Sequence, residues 1–163
     1  MRRAHRLCAA GLALVAAGLL GGCPMEPPPP PPPDPILPID YADTYTEVRG
    51  CRQSGDHDLH VIRVLADPDA LGPYENRMDP FPVGSVVVKE EYDFGDVDCS
   101  GEVVRWTVMQ RLEDGSAPLD LDWYWQGIDA DFMVDEDNPA RCAQCHQGCG
   151  DPPVGYLGTC TEP

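Results

Sequence analysis

Residues 142–146 read Cys-Ala-Gln-Cys-His, two thiols three positions apart with an imidazole directly after the second. On a helix, residues three and four apart share one face, so Cys142, Cys145 and His146 would project together. The set matches a covalent c-type haem attachment, in which both thiols add to the haem vinyl groups and the histidine ligates the iron. Three other chemistries use similar residues. A thioredoxin-like redox pair needs its cysteines at the start of a long helix in a strand–helix–strand context, and no such context surrounds residue 142. A zinc site would draw on Cys142, Cys145, Cys149 and Cys160, or on His146 in place of one cysteine. A disulfide scaffold would consume Cys51, Cys99, Cys142, Cys145, Cys149 and Cys160 together.

The N-terminus bears on that choice. Arg2, Arg3 and Arg6 precede an apolar run from Leu7 to Leu20 and the small residues Gly21 and Gly22, the layout of a secretory signal. The run is shorter than the roughly 20 apolar residues of a spanning helix. Leu20-Gly21-Gly22-Cys23 resembles a bacterial lipobox, which implies a lipidated Cys23 at the mature N-terminus, with the protein on the periplasmic face or outer membrane. Export favours disulfides over thiolate zinc sites. With one covalent haem c on Cys142 and Cys145, four cysteines remain in the domain, an even number. Three connectivities are open to them, and sequence order makes Cys51 with Cys99 and Cys149 with Cys160 the simplest.

The elements that must present these residues are mostly strands. The β-branched run Val83 to Tyr92 and the alternating stretch Glu102 to Leu112 flank the turn residues Gly95, Asp96, Asp98, Ser100 and Gly101, as in a β-hairpin with a long loop. In the second run Val104, Trp106, Val108 and Leu112 share one face, with Arg105, Thr107 and Arg111 on the other. Shorter strands are expected over His60 to Leu65, ended by Pro68, and over Asp122 to Gln126. No segment carries a long amphipathic helical period. The clearest helix is Ala140 to His146, with Asn138 as its N-cap and Pro139 at the first helical position. The expected fold is mainly β (α+β), an antiparallel sheet with a short C-terminal helix bearing the haem motif.

Ten of the 19 prolines fall between Pro24 and Pro38, seven of them consecutive. Such a stretch favours extended polyproline II over a packed core. The chain therefore divides into a signal over 1–22, lipidated Cys23 with a proline-rich tether over 23–38, and one domain over 39–163. Signal cleavage would leave 8 basic against 28 acidic residues. That balance opposes nucleic-acid binding and attraction to anionic headgroups, so membrane attachment would come from the acyl chains.

Candidates for the far side of an iron are His57, His60, Met109 and Met133. Glu90, Glu91 and Asp93 are candidate proton acceptors. The acids Asp129, Asp131, Asp135, Glu136 and Asp137 invite calcium but lack the glycine and terminal glutamate of an EF-hand loop. Trp106, Trp123, Tyr124 and Trp125 are expected in the core and pocket wall.

Read in order, the domain resembles the cytochrome P-460 family, which includes hydroxylamine-oxidising cytochromes and gas-binding cytochromes c-prime-beta. The resemblance rests on Tyr45 and Arg49, Gly55-Asp56-His57, Val61-Ile62-Arg63-Val64, Asp67-Pro68-Asp69-Ala70, Phe81 to Glu90, Val108-Met109-Gln110-Arg111, Asp122 to Trp125 and the haem motif. It implies a mainly antiparallel β fold, often homodimeric, with His146 as proximal iron ligand and an open position opposite for a small molecule or gas. Hydroxylamine-oxidising members carry a lysine bonded to the haem edge. Lys89, the single lysine of the chain, occupies a matching strand position and would share a face with Ser85 and Val87. Glu90 would be a proton acceptor by the same analogy. The extra cysteines and the segment Asp151 to Tyr156 depart from the family pattern. Two functions follow as expectations. One is a membrane-anchored monohaem cytochrome that binds or oxidises a small nitrogenous molecule or passes electrons to a redox partner. The other is a haem-free, disulfide-stapled lipoprotein acting as an interaction module.

Overall fold

The computed structural model describes residues 30–55, 57 and 60–161; the expected signal and Cys23 lie outside them. Six strands form one antiparallel meander: β1 (Thr46–Gln53), β2 (Val61–Ala66), β3 (Val86–Tyr92), β4 (Val103–Arg111), β5 (Trp123–Asp129) and β6 (Val134–Asp137), in that spatial order. Helix α1 (Pro68–Asn76) connects β2 to β3, and α2 (Ala140–His146) follows β6. The architecture is the mainly β fold read from the sequence, hairpin and C-terminal helix included.

Both faces of the sheet are covered, which is why β3 is buried almost throughout. On the first face Ile62, Val64, Ala66, Val87, Met109, Trp123 and Trp125 pack against Ala70 and Tyr74 of α1, Phe81, and Ala143 of α2. On the second, Leu65, Val86, Val88, Val108, Ile128 and Val134 are closed over by Leu37 and Tyr41 from the N-terminal segment. That segment is strapped down at Gln126, whose side-chain oxygen accepts from Ile36 N at 2.8 Å and whose amide donates to Asp34 O at 3.2 Å. Ile36 and Leu37, which composition assigns to the tether, therefore belong to the folded body.

The sequence pattern missed three elements. Helix α1 is built on Asp67, whose carboxylate accepts from Ala70 N at 2.6 Å and Val86 N at 2.9 Å, with Pro68 in the first turn. Pro68 thus ends β2 by starting a helix, while Gly72 and Pro73 within the helix hide its periodicity. Strand β1 pairs with β2 through two register shifts that break the period-two alternation. Strand β6 is four residues long and acidic. Asp135 and Glu136 pair with Arg105, and Glu136 also with Arg141. Asp137 accepts from the Tyr124 hydroxyl, and Asp129 accepts from the backbone of Asp131 and Met133. Of the acids considered for calcium, Asp135 and Glu136 are thereby in ion pairs, Asp137 in a hydrogen bond and Asp129 in a turn.

The start of α2 also differs from expectation. Pro139 occupies the cap position, with no side-chain cap bond. Asn138 is left-handed (φ 44°). It binds β5 instead, donating from its backbone to Trp125 O at 2.8 Å and accepting from Trp125 N at 3.3 Å. A residue with helix-capping chemistry has been used to pin the helix start to the strand that carries Trp125.

Candidate functional site

A pocket of about 390 Å³ opens on the first face of the sheet, between β3, β4, β5 and α2. Strand parity decides what enters it. Val87, Lys89 and Glu91 of β3 line the pocket, as do Thr107 and Met109 of β4 and Trp125 of β5. The polar side of the β4 alternation is therefore a pocket wall, while Trp106 on the other side donates from Nε1 to the Tyr41 hydroxyl at 2.8 Å.

Helix α2 contributes Cys142, Cys145 and His146 to the opposite wall. Ala143 and His146 are buried, Cys142 is half-buried and Cys145 is exposed. Burial raises the Cys142 thiol above its ordinary value. Both cysteines are free thiols, and among the described residues two disulfides join Cys51 to Cys99 and Cys149 to Cys160. These are the pairs sequence order suggested. His146, Cys149 and Cys160 cluster closely enough to suggest a metal set, but the last two are bonded to each other.

His146 is held as a neutral imidazole. Burial, reinforced by the charge of Lys89, lowers its pKa to about 3. Its Nδ1 stands 2.6 Å from the Gly158 carbonyl, to which it must donate, leaving the Nε2 lone pair toward the pocket. Trp125 packs against the ring edge-on at 4.7 Å. Lys89 Nζ lies 3.2 Å from His146 Nε2 and 2.9 Å from His57 Nε2. Burial pulls its pKa down to about 8, with Arg52 adding in the same direction. Behind it, His57 Nδ1 is 3.2 Å from Glu91 Oε1, and the Thr107 hydroxyl donates to the same oxygen at 3.1 Å.

Of the candidate far-side residues, His57 and Met109 line this pocket. His60 instead bonds the Tyr92 carbonyl at 2.8 Å, and Met133 is exposed in the β5–β6 turn. Glu90 requires a correction. It projects from the second face, 2 % exposed, where it accepts from Tyr41 at 2.6 Å, Tyr92 at 2.7 Å and Arg63 at 2.6 Å. The pocket carboxylate is its neighbour, Glu91, because adjacent strand residues face opposite ways. Thr107 and Gly158 were not singled out from sequence. Thr107 was legible as the polar member of an alternating strand, whereas nothing local to Gly158 marks it.

A family model for cytochrome P460 matches residues 38–151, covering every strand and α2. The chain belongs to the cytochrome P460 family. No curated protein matches it. Membership makes the protein a haem-binding cytochrome, and the pocket of this cytochrome P460 chain fits the group. It offers a neutral imidazole with its lone pair turned inward, two thiols on the same helix, and apolar walls from Val87, Met109 and Trp125. Residues 152–160, which carry Gly158 and Cys160, lie beyond the matched span.

Proposed function

We propose that this cytochrome P460 protein is an exported, lipid-anchored c-type cytochrome that oxidises hydroxylamine or a related small nitrogenous molecule. Electrons pass on to a redox partner protein, and the assembly is the homodimer common in the family. Cys142 and Cys145 hold one haem covalently, and His146 Nε2 is its proximal ligand. The bound haem supplies a redox-active iron with one position open to a small molecule. Cys23 carries the lipid, on the periplasmic face or outer membrane, and an acidic body disfavours nucleic acid.

The observation carrying this reading is that the Lys89 ammonium stands inside the pocket, within hydrogen-bond distance of His146 Nε2. Lysine is the residue that hydroxylamine-oxidising members bond to the haem edge, and this chain's single lysine stands inside the pocket. Removing hydrogens from nitrogen releases protons with the electrons, and Glu91 is the carboxylate placed to accept them. Thr107 orients Glu91 through the bond to Oε1, and His57 links it to Lys89. Trp125 excludes water from one side of His146 and limits the rotation of its ring.

The test is the full-length protein made with a working cytochrome maturation system. A haem stain should survive a denaturing gel, and hydroxylamine should reduce an added electron acceptor in proportion to stained haem. An unstained band would refute the haem assignment; a stained protein inert to hydroxylamine would refute the reaction. Detergent-phase partitioning that disappears in Cys23→Ala would support the anchor.

A further inference from the structure

Beyond His146 the chain turns through Gln147–Cys149 and then runs in a loop that the Cys149–Cys160 disulfide closes. The loop is folded against its own backbone. Tyr156 and Thr159 exchange backbone hydrogen bonds of 3.0 and 2.9 Å, and Gly155 N donates to Asp151 O at 2.9 Å. A Cβ at Gly155 would fall 1.1 Å from the Cys149 carbonyl oxygen, so only glycine fits. Gly158 has φ +81°, a left-handed conformation that costs glycine little, and it turns its carbonyl onto His146 Nδ1. Four outside bonds steady the loop: Trp123 Nε1 donates to Leu157 O at 2.7 Å, Arg49 to Cys160 O at 3.3 Å, Arg77 to Pro153 O at 3.4 Å, and the Tyr156 hydroxyl to Asp79 O at 3.2 Å. Cys160 Sγ itself stands 3.8 Å from His146 Nδ1.

We propose that the Cys149–Cys160 disulfide is a positioning device for the proximal histidine: by closing the loop it presses the Gly158 carbonyl on His146 Nδ1 and sets the donor strength of Nε2. The inference rests on the assignment of His146 as the haem ligand. A carbonyl accepting from the far ring nitrogen fixes the tautomer and ring orientation and makes the ligating nitrogen more basic. A more basic ligand favours the ferric iron, so the closed loop holds the haem potential down. Gly158 and Cys160 fall outside the family match over 38–151, so this control belongs to the part of the chain that departs from the family.

A staple that merely secured the C-terminus would leave the iron–histidine bond alone, and the test reads that bond. In the haem-loaded full-length protein, the double variant Cys149→Ser/Cys160→Ser should keep its haem stain. Its ferrous iron–histidine stretching band should move to lower frequency, and its midpoint potential should rise. Cys51→Ser/Cys99→Ser should move neither. If the first variant does not accumulate, the bond can be opened in the folded Cys51→Ser/Cys99→Ser protein with a water-soluble phosphine. The phosphine gives two electrons to the S–S bond and takes oxygen from water, whose two protons complete the thiols. The same two shifts are expected. An unchanged band and potential with the bond open and haem attached would overturn the inference while leaving the haem assignment intact. An unstained wild-type protein would overturn both.

Discussion

Lys89 Nζ and His146 Nε2 stand 3.2 Å apart across the pocket although 57 residues separate them in the chain. Lys89 is fixed by its place in a central strand, opposite Val64 on one side and Thr107 on the other. His146 is fixed by the last turn of α2 and the Gly158 carbonyl. Neither residue is on a loop, so the sheet and the helix fix where the two side chains start, and the contact between their tips is the part a bound haem would replace.

Replacing Lys89 by alanine should leave the haem stain in place and convert a red-shifted absorbance into an ordinary c-type spectrum. The optical spectrum of the reduced protein decides it. An identical spectrum in both proteins would show that no bond forms between Lys89 and the haem.

Glu90 and Glu91 are adjacent in sequence and should behave oppositely. Glu90→Gln leaves Arg63 without its closest carboxylate and weakens bonds to two tyrosines, at a cost of about 1.5–3 kcal/mol. Turnover per haem should hold. Glu91→Gln should lower turnover by about 10²–10⁴-fold, the usual contribution of a positioned proton acceptor, with haem content retained. Urea midpoints and hydroxylamine turnover separate the two.

Asp67→Ala should lower stability by about 1–2 kcal/mol, the value of a helix N-cap. The same carboxylate also holds Val86 N at the start of β3, so loss of the cap should also loosen the strand that carries Lys89. Thermal denaturation of the variant beside Asp67→Asn, which keeps an acceptor oxygen, checks this.

Asp122 gives a pH signature. Its carboxylate accepts from Gly115 N and Ala117 N, both at 2.9 Å, and these bonds hold its pKa below the ordinary 3.8. The folded state therefore binds fewer protons than the unfolded state just below that value. This contribution is fully present above pH 3.8 and is lost as pH falls through the lower folded pKa. Asp122→Asn, which tolerates the left-handed backbone at this position (φ 58°), should flatten the acid side of a melting-temperature profile. An unaltered slope would count against it.

The sequence carried the haem motif because its chemistry is local: three side chains within one helical turn. It carried the β3–β4 hairpin because β-branched runs and turn residues are also local. Glu91 was a candidate beside Glu90, but which of the two meets the pocket depends on strand parity, and a one-residue change of parity exchanges the faces. Buried on both sides, β3 has too little polar contrast to declare its parity. Gly158 was illegible for a different reason. Its role is to offer a backbone carbonyl, which every residue has, and only its left-handed turn and the disulfide-closed loop make that carbonyl special. Strand β6 invited calcium instead of reading as a strand because its acids find their partners far away, at Arg105 30 and 31 residues earlier, and on the following helix.

The strap over the second face has a mechanical meaning. Under the proposed N-terminal anchor, a pull along the described chain meets the Gln126 amide, Leu37 and then Tyr41. These contacts lie on the side of the sheet away from the pocket, so the load is borne where no chemistry is done.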